Sequence, residues 1–172
     1  GPGLTSVIVN DGVVMTGYRN RSGEIGHIAW HKDDVNLLPC DICSKRNCVE
    51  NIVSYSNILR NIDPDYKPQT DTFKEVVELS RLDDFSALNK AIGIVAETVA
   101  MLIDIVDPEF IFLAGEMCEF PEVSSLLCNQ IVKNNEMFSH EKIKFIRYYS
   151  EKRIKSAGIV VLQNLVNDVI KI

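Results

Sequence analysis

The sequence of 172 residues lacks an uninterrupted apolar run of the roughly 20 residues that a helix needs to cross a bilayer. The nearest candidate, residues 91–106, is interrupted by Glu97 and Asp104 and therefore predicts a buried helix. The first three residues show neither the basic region nor the apolar stretch of a secretory signal peptide. We therefore expect a cytoplasmic protein that makes no membrane contact.

Positive charge is scarce as well. The sequence has 18 Lys and Arg against 24 Asp and Glu, which gives a net charge of −6. Binding a nucleic-acid backbone requires clustered Lys and Arg, so this balance disfavours direct DNA binding by these residues. Apolar residues make up 46% of the sequence, enough to bury a core without disulfide bonds. The length and the absence of repeats or low-complexity tracts predict a single domain over residues 1–172.

The five cysteines are few and unevenly placed. Cys40, Cys43 and Cys48 fall within nine residues, whereas Cys118 and Cys128 lie in apolar surroundings and are expected to be small core residues. In a reducing compartment such a tight cluster favours a metal over disulfides, and an odd total fits pairing poorly.

A histidine completes a plausible ligand set. His27, Cys40, Cys43 and Cys48 offer one imidazole and three thiolates, donors that tetrahedral zinc favours. Four protein ligands leave no position for water, so the zinc would be structural and would hold a loop of about residues 27–50 to the segment that bears His27. The alternative is three loop thiols without a metal.

Two other histidines are weaker candidates. His31 is a rival ligand, but four residues along a strand would place it about 13 Å from His27, too far to share one metal. His140 is expected to lie on the surface.

The spacing of the apolar residues and the positions of turn-forming residues predict a hairpin followed by helices and strands. Asn10-Asp11-Gly12 between two β-branched runs is typical of a tight antiparallel turn. Alternating helix and strand in the second half predicts parallel strands covered by helices. Asp83 or Asp84 is expected to cap the long helix, whose apolar stripe predicts a core or interface position. The predicted strands are 4–9, 13–18, 25–30, 110–113 and 143–148, and the predicted helices are 48–62, 72–79, 85–106, 123–133 and 156–169.

The most specific pattern is Gly23-Glu24-Ile25-Gly26-His27 followed by a cysteine cluster that ends in Cys48-Val49-Glu50. This pattern resembles the signature of the ROK family, whose name joins repressors, open reading frames and kinases. The resemblance covers nearly the whole chain and implies an α/β fold, the C-terminal lobe of an actin-like, ribonuclease-H-like ATPase, with a mixed sheet and flanking helices. The other matching segments are 3–12, the family's glycine-rich hairpin; 83–87, before its long helix; 106–115, its Asp-Pro-Glu strand and glycine turn; and 156–158, the start of its last helix.

The resemblance also implies roles for individual residues. It assigns zinc binding to His27 and the three clustered cysteines, and contact with sugar hydroxyls to Glu24, His27 and Glu50. The chemistry agrees, because carboxylates accept hydrogen bonds from vicinal hydroxyls and a metal-bound imidazole keeps its second nitrogen available. Without the resemblance, Glu24 and Glu50 would be interpreted as exposed loop charges.

Several positions depart from the family pattern. The cluster usually reads Cys-x-Cys-Gly-x-x-Gly-Cys, whereas here a residue is inserted between Cys40 and Cys43. Ser44 and Asn47 stand where glycines are expected, and a side chain resists turns that glycine permits. These changes predict either an altered zinc loop or the loss of Cys40 as a ligand.

Other departures concern the region where the family's kinases bind nucleotide. Glu116 places a carboxylate after the strand at 110–113, where it would repel a triphosphate. Thr5 and Ser6 replace small or glycine positions in the hairpin that faces phosphate. Both changes disfavour nucleotide binding.

No segment of the sequence corresponds to the first lobe that carries the kinases' catalytic aspartate, or to the winged helix-turn-helix of the repressors. We therefore expect a chain that is not a complete enzyme. The predicted function is the sugar-effector-binding and oligomerisation domain of a ROK-family transcriptional repressor, with a structural zinc. It would bind a small-molecule sugar, reach DNA through an absent N-terminal domain, and form a homodimer or higher homo-oligomer. The alternatives are the C-terminal part of an ATP-dependent ROK sugar kinase and a degenerate dimerisation module without ligand.

Overall fold

The structure, a computed structural model, describes residues 4–30, 39–67 and 72–146. The predicted helix at 156–169 and the rival ligand His31 lie outside the described residues. None of the helices in the described part of the chain is both long and apolar enough to cross a membrane. The strands are β1 (Val9–Asn10), β2 (Val13–Val14), β3 (Ile111–Ala114) and β4 (Ile143–Ile146), and the α-helices are α1 (Val49–Val53), α2 (Tyr55–Ile62), α3 (Phe73–Leu79), α4 (Ser86–Val106) and α5 (Pro121–Asn134).

The first strand pair is the hairpin that the Asp-Gly turn predicts. β1 and β2 are antiparallel, with Val9 opposite Val14 and Asn10 opposite Val13. Asp11 and Gly12 have φ angles of 50° and 76°, the left-handed values that a two-residue hairpin turn requires. The prediction of an antiparallel pair is confirmed, although both strands are shorter than predicted.

The second strand pair is parallel. β3 and β4 run in register from Ile111 opposite Ile143 to Ala114 opposite Ile146. α5 lies between the two strands in the chain and provides the crossover connection that a parallel pair needs. The predicted alternation of helix and parallel strand is therefore confirmed for this part of the chain.

The core is built around α4. Asp83 caps this helix, because its Oδ2 accepts a hydrogen bond of 2.8 Å from the backbone N–H of Ala87. Most of the predicted apolar stripe is core: α4 packs along α5, and Leu59 of α2 joins them. Burying each large aliphatic side chain contributes about 1.5–3 kcal/mol relative to exposing it. The buried stripe residues are Leu88, Ile92, Val95, Val99 and Ile103.

A smaller apolar cluster attaches the zinc-loop candidate to this core. Trp30 and Val49 are buried and pack with Ile94 of α4. Trp30 follows His27 by three residues and Val49 directly follows Cys48. Both ends of the loop are thus packed against α4.

Two predicted elements are wrong in detail. Residues Ile25–His27 form a 3₁₀ turn instead of the first half of the strand predicted at 25–30, and Ala29 makes an isolated antiparallel bridge to Cys48. The helix predicted at 48–62 breaks at Ser54, which has an extended backbone (φ −61°, ψ 146°) and whose Oγ accepts a hydrogen bond from Asn57 N (3.4 Å). Serine is one of the residues preferred at the N-cap of a helix, and Ser54 therefore begins a second helix, α2.

Candidate functional site

Four ligand atoms converge at the predicted metal position. One donor atom from each of His27, Cys40, Cys43 and Cys48 lies within 4.8 Å of all the others. Cys40 Sγ is 3.9 Å from His27 Nδ1. Tetrahedral zinc with ligand bonds of about 2.0–2.3 Å places neighbouring donors roughly 3.5–3.8 Å apart. The donor set therefore suits a closed tetrahedral zinc site, and the Cys40–His27 separation is close to the spacing that zinc requires.

Backbone pairing positions two of the four candidate ligands. Trp30 N donates to Asn47 O (2.7 Å) and Val49 N donates to Ile28 O (3.0 Å). These bonds hold the segment after His27 against the segment that carries Cys48, whose side chain is fully buried. Both candidate ligands are therefore anchored to the core through the Trp30–Val49 contact.

The other two candidate ligands lie on a tight turn. Ser44 N donates to Cys40 O (2.8 Å), and Cys40 N donates to Lys45 O (2.9 Å). Burial acts to raise the pKa of Cys40, but hydrogen bonds from the N–H groups of Cys43 and Ile42, together with the neighbouring thiols, leave this pKa below its usual value. Cys40 lies in the cluster by geometry, and the inserted residue creates a Cys-x-x-Cys turn whose N–H groups face the Cys40 sulfur.

The thiols differ in their acidity. Burial, together with contacts to the Cys43 and Cys40 thiols, raises the pKa of Cys48 to about 12. Metal binding to this set therefore has to displace protons, as it does at zinc-thiolate sites in general.

The two residues that stand where the family has glycine differ in backbone conformation. Ser44 keeps the left-handed conformation, with φ at 60°, although it has a side chain. Asn47 does not have a positive φ, and its buried Nδ2 donates to Trp30 O at 3.5 Å. The loop therefore retains one glycine-like turn and fills the other position with a buried amide.

The His27 ring lies between the thiol cluster and Glu24. Its Nδ1 faces the thiols, and its Nε2 is 3.6 Å from Glu24 Oε2. The His27 side chain is 10% exposed and that of Glu24 is 42% exposed. A metal on Nδ1 would leave Nε2 as an N–H donor on the solvent side.

Two glycines of the motif are required by close backbone packing. A Cβ on Gly23, whose φ is 86°, would lie 1.9 Å from Ser6 O, and one on Gly26 would lie 2.3 Å from Leu4 O. Ser6 N donates to Gly23 O (2.8 Å) and Gly26 N donates to Leu4 O (3.1 Å). This packing bends residues 25–27 into a turn and explains why the predicted strand does not form there.

Glu50 lies beside the same turn. Its Oε2 accepts a hydrogen bond of 3.1 Å from Leu4 N and is 3.1 Å from the position of a Cβ on Gly26. The residue is partly buried. The three predicted sugar contacts, Glu24, His27 and Glu50, therefore surround one turn of the chain.

Sequence reasoning missed the role of Lys45 and the contact made by Glu116. Lys45 Nζ donates to His27 O at 2.8 Å, a link that joins residues 18 apart. Glu116 Oε2 accepts a hydrogen bond of 2.9 Å from Phe73 N at the start of α3. No local sequence signal indicates either contact, because each depends on how distant segments pack.

The remaining cysteines and His140 lie elsewhere. Cys118 and Cys128 are buried as predicted, and burial raises the pKa of Cys118 to about 11. Both line a cavity of about 310 Å³ beside α5 together with His140. His140 is exposed, as predicted, and its Nε2 lies 3.0 Å from Asn129 Oδ1. In the described part of the chain these residues do not form a second metal cluster.

Known proteins resemble the chain over most of its length. The model of the ROK family matches residues 1–162. The N-acetyl-D-glucosamine kinase of Shigella boydii serotype 4 (strain Sb227) is 22% identical over 140 residues, which are 76% of this chain and 46% of that protein. That of Escherichia coli (strain K12 / DH10B) is 22% identical over 143 residues, 78% of this chain and 47% of that protein.

Solved structures give the same fold. A ROK hexokinase from Thermus thermophilus aligns with a TM-score of 0.67 and 20% identity, over 87% of this chain and 50% of that one. A ROK-family transcriptional regulator, a homologue of the E. coli MLC protein, aligns with a TM-score of 0.60 and 21% identity, over 87% of this chain and 40% of that one. The predicted actin-like ATPase fold is thereby confirmed, and the chain spans about half the length of the curated relatives it matches. The chain belongs to the ROK family.

Proposed function

We propose that the chain is the sugar-effector-binding and oligomerisation domain of a ROK-family transcriptional repressor, with a structural zinc on His27, Cys40, Cys43 and Cys48. The observation that supports this most strongly is the orientation of His27. One ring nitrogen faces the thiol cluster and the other faces the exposed carboxylate of Glu24.

The zinc has a structural role in this proposal. Bound at Nδ1, it would withdraw charge from the imidazole and make the Nε2 proton a better hydrogen-bond donor. His27 then presents a fixed donor, because its ring is only 10% exposed and cannot rotate freely. The metal also holds the loop that leads into Glu50, and so organises the site without touching the ligand.

Glu24, His27 and Glu50 give the site its selectivity for a polyhydroxylated ligand. Carboxylates accept hydrogen bonds from vicinal hydroxyls, and an imidazole N–H donates to a hydroxyl oxygen. Glu50 is held on one side by Leu4 N, which limits the positions of its carboxylate. A sugar is the ligand class that satisfies acceptors and a donor so closely spaced.

The contact made by Glu116 favours a regulator over a kinase. Glu116 directly follows the glycine turn at the carboxyl end of β3, the side of a parallel strand where α/β proteins bind ligands. Its carboxylate is hydrogen-bonded to Phe73 N and puts negative charge at that edge, where it opposes a polyphosphate.

A sugar would act as an effector by binding one arrangement of the whole protein more tightly than another. DNA contact would come from an N-terminal domain outside this sequence, in a cytoplasmic homo-oligomer.

The second candidate is the C-terminal part of an ATP-dependent ROK sugar kinase. It is supported by the curated relatives, which are N-acetyl-D-glucosamine kinases, and by the hexokinase alignment. Phosphoryl transfer needs a general base and a phosphate cradle, and the family's catalytic aspartate belongs to the other lobe. Micromolar binding of Mg-ADP to this chain, measured by calorimetry, would favour the kinase; the repressor proposal predicts no such binding.

The sugar site is tested by thermal unfolding of the zinc-loaded protein with hexoses, pentoses and N-acetylhexosamines. A sugar at ten times its dissociation constant stabilises the folded state by about 1.4 kcal/mol. We expect at least one sugar to raise the melting temperature of the wild type and of Glu97→Gln, an exposed control on α4. Glu24→Gln, which keeps the shape but removes the charge, should abolish the shift. If zinc-loaded wild type responds to none of these sugars, the dimerisation module without ligand becomes the better description.

A further inference from the structure

We infer that Lys45 is a positioning residue for the metal centre, one that joins the Cys40–Cys43 turn to the backbone of His27. The inference rests on the proposed zinc site and adds a residue that contacts neither the metal nor the sugar. Lys45 reaches the centre from outside, as an exposed side chain on the loop between Cys43 and Cys48.

Lys45 makes one hydrogen bond through its backbone and another through the end of its side chain. Its backbone oxygen accepts a hydrogen bond from Cys40 N (2.9 Å), and its Nζ donates to His27 O (2.8 Å). Cys40 Sγ is 3.9 Å from His27 Nδ1, so the two residues that Lys45 joins are themselves neighbouring ligands. Lys45 thus joins Cys40 and His27, the same two residues that a bound metal would bring together.

This link matters because the two halves of the site are anchored differently. His27 and Cys48 are held by backbone bonds between residues 28–30 and 47–49. Cys40 follows His27 by 13 residues, and bringing these two ligands together costs loop-closure entropy. A contact that already holds the turn near His27 reduces the ordering that zinc binding has to impose.

The positive charge of Lys45 also favours zinc binding. Three thiolates and a neutral imidazole around Zn²⁺ leave the centre with a net negative charge, and the Lys45 ammonium lies on the carbonyl of a ligand residue. Because Lys45 is exposed, solvent and salt screen this attraction, and the geometric contribution should dominate.

The experiment compares zinc affinity among Lys45→Met, Lys45→Arg and the control Lys90→Met, which removes the same charge from an exposed position on α4. Affinity is measured by competition with a chromophoric chelator, and site geometry by the visible absorption of the cobalt(II) form. We expect Lys45→Met to bind zinc about ten-fold more weakly, at the low end of the range for partners that orient metal ligands. Lys45→Arg and Lys90→Met should stay within about two-fold of the wild type, given the modest weight of exposed charges.

Chelator-stripped protein separates positioning from general stability. If Lys45 positions the ligands, stripped Lys45→Met unfolds at the same urea concentration as stripped wild type while its zinc affinity is lower. Equal zinc affinity in Lys45→Met and wild type, or an equal loss of stability with and without zinc, would overturn the inference. A wild type that binds no zinc would reject the proposed metal site and this inference together, whereas a zinc-binding wild type with an unaffected Lys45→Met rejects the inference alone.

Discussion

At the scale of single residues, Ser44 in the candidate zinc loop has a backbone conformation that favours glycine. Ser44 has a φ of 60°, and a left-handed conformation costs a non-glycine residue about 1–2 kcal/mol. Asn47, at the second position where the family has glycine, has no such strain and uses its amide as a buried donor to Trp30 O. The two replacements should therefore respond in opposite ways to reversion.

We predict that Ser44→Gly stabilises the zinc-loaded protein by about 0.5–1 kcal/mol, because the relief of strain exceeds the added freedom of the unfolded chain. Asn47→Gly should destabilise it by about 1 kcal/mol or more, through loss of a buried hydrogen bond. Urea unfolding of the two variants measures both effects. A lower midpoint for Ser44→Gly than for the wild type would show that the left-handed turn is not maintained in solution.

The candidate ligands were predictable from sequence because zinc selects donor types and spacing. His27 and the three cysteines could be named from the pattern, and the resemblance added Glu24 and Glu50. Lys45 could not be named, because its contact with His27 O depends on the packing of residues 18 apart. Whether Cys40 or its neighbours would turn inward after the insertion also depended on backbone geometry.

At the scale of elements, the sequence predicted structure well where local signals agree with packing. The Asp11-Gly12 turn and the parallel strands β3 and β4 are such cases. The strand predicted at 25–30 is wrong because the backbone of Leu4 and Ser6 packs directly against Gly26 and Gly23. An apolar run by itself carries no information about that contact.

Glu116 has an element-scale role as well, since it joins the turn after β3 to the start of α3. We predict that Glu116→Ala destabilises the protein by about 1–2 kcal/mol, because it leaves a partly buried N–H without its charged acceptor. Glu119→Ala, an exposed change at the other end of the 3₁₀ helix Glu116–Glu119, serves as the control and should have little effect. Chemical denaturation measures both, and equal stabilities of the two variants would show that the Phe73 contact contributes nothing.

At the scale of the whole molecule, one apolar core supports a site that is polar and partly exposed. α4 lies at the centre of this core, and the Trp30–Val49–Ile94 cluster packs both ends of the candidate zinc loop against it. A metal bound at the candidate site would then also restrain the turn that bears Glu24 and the position of Glu50. Removal of zinc from the proposed centre should therefore loosen the loop and the proposed sugar site together, while the α4–α5 core remains folded.

The most direct measurement is the metal content of the purified chain by elemental analysis, compared with that of His27→Ala. The account predicts about one zinc ion per wild-type chain, as expected for a closed four-ligand site, and loss of that zinc in the variant. Wild-type protein purified without chelators that contains no zinc, or a His27→Ala variant that keeps its zinc, would contradict the central claim that His27 links a zinc centre to the sugar site.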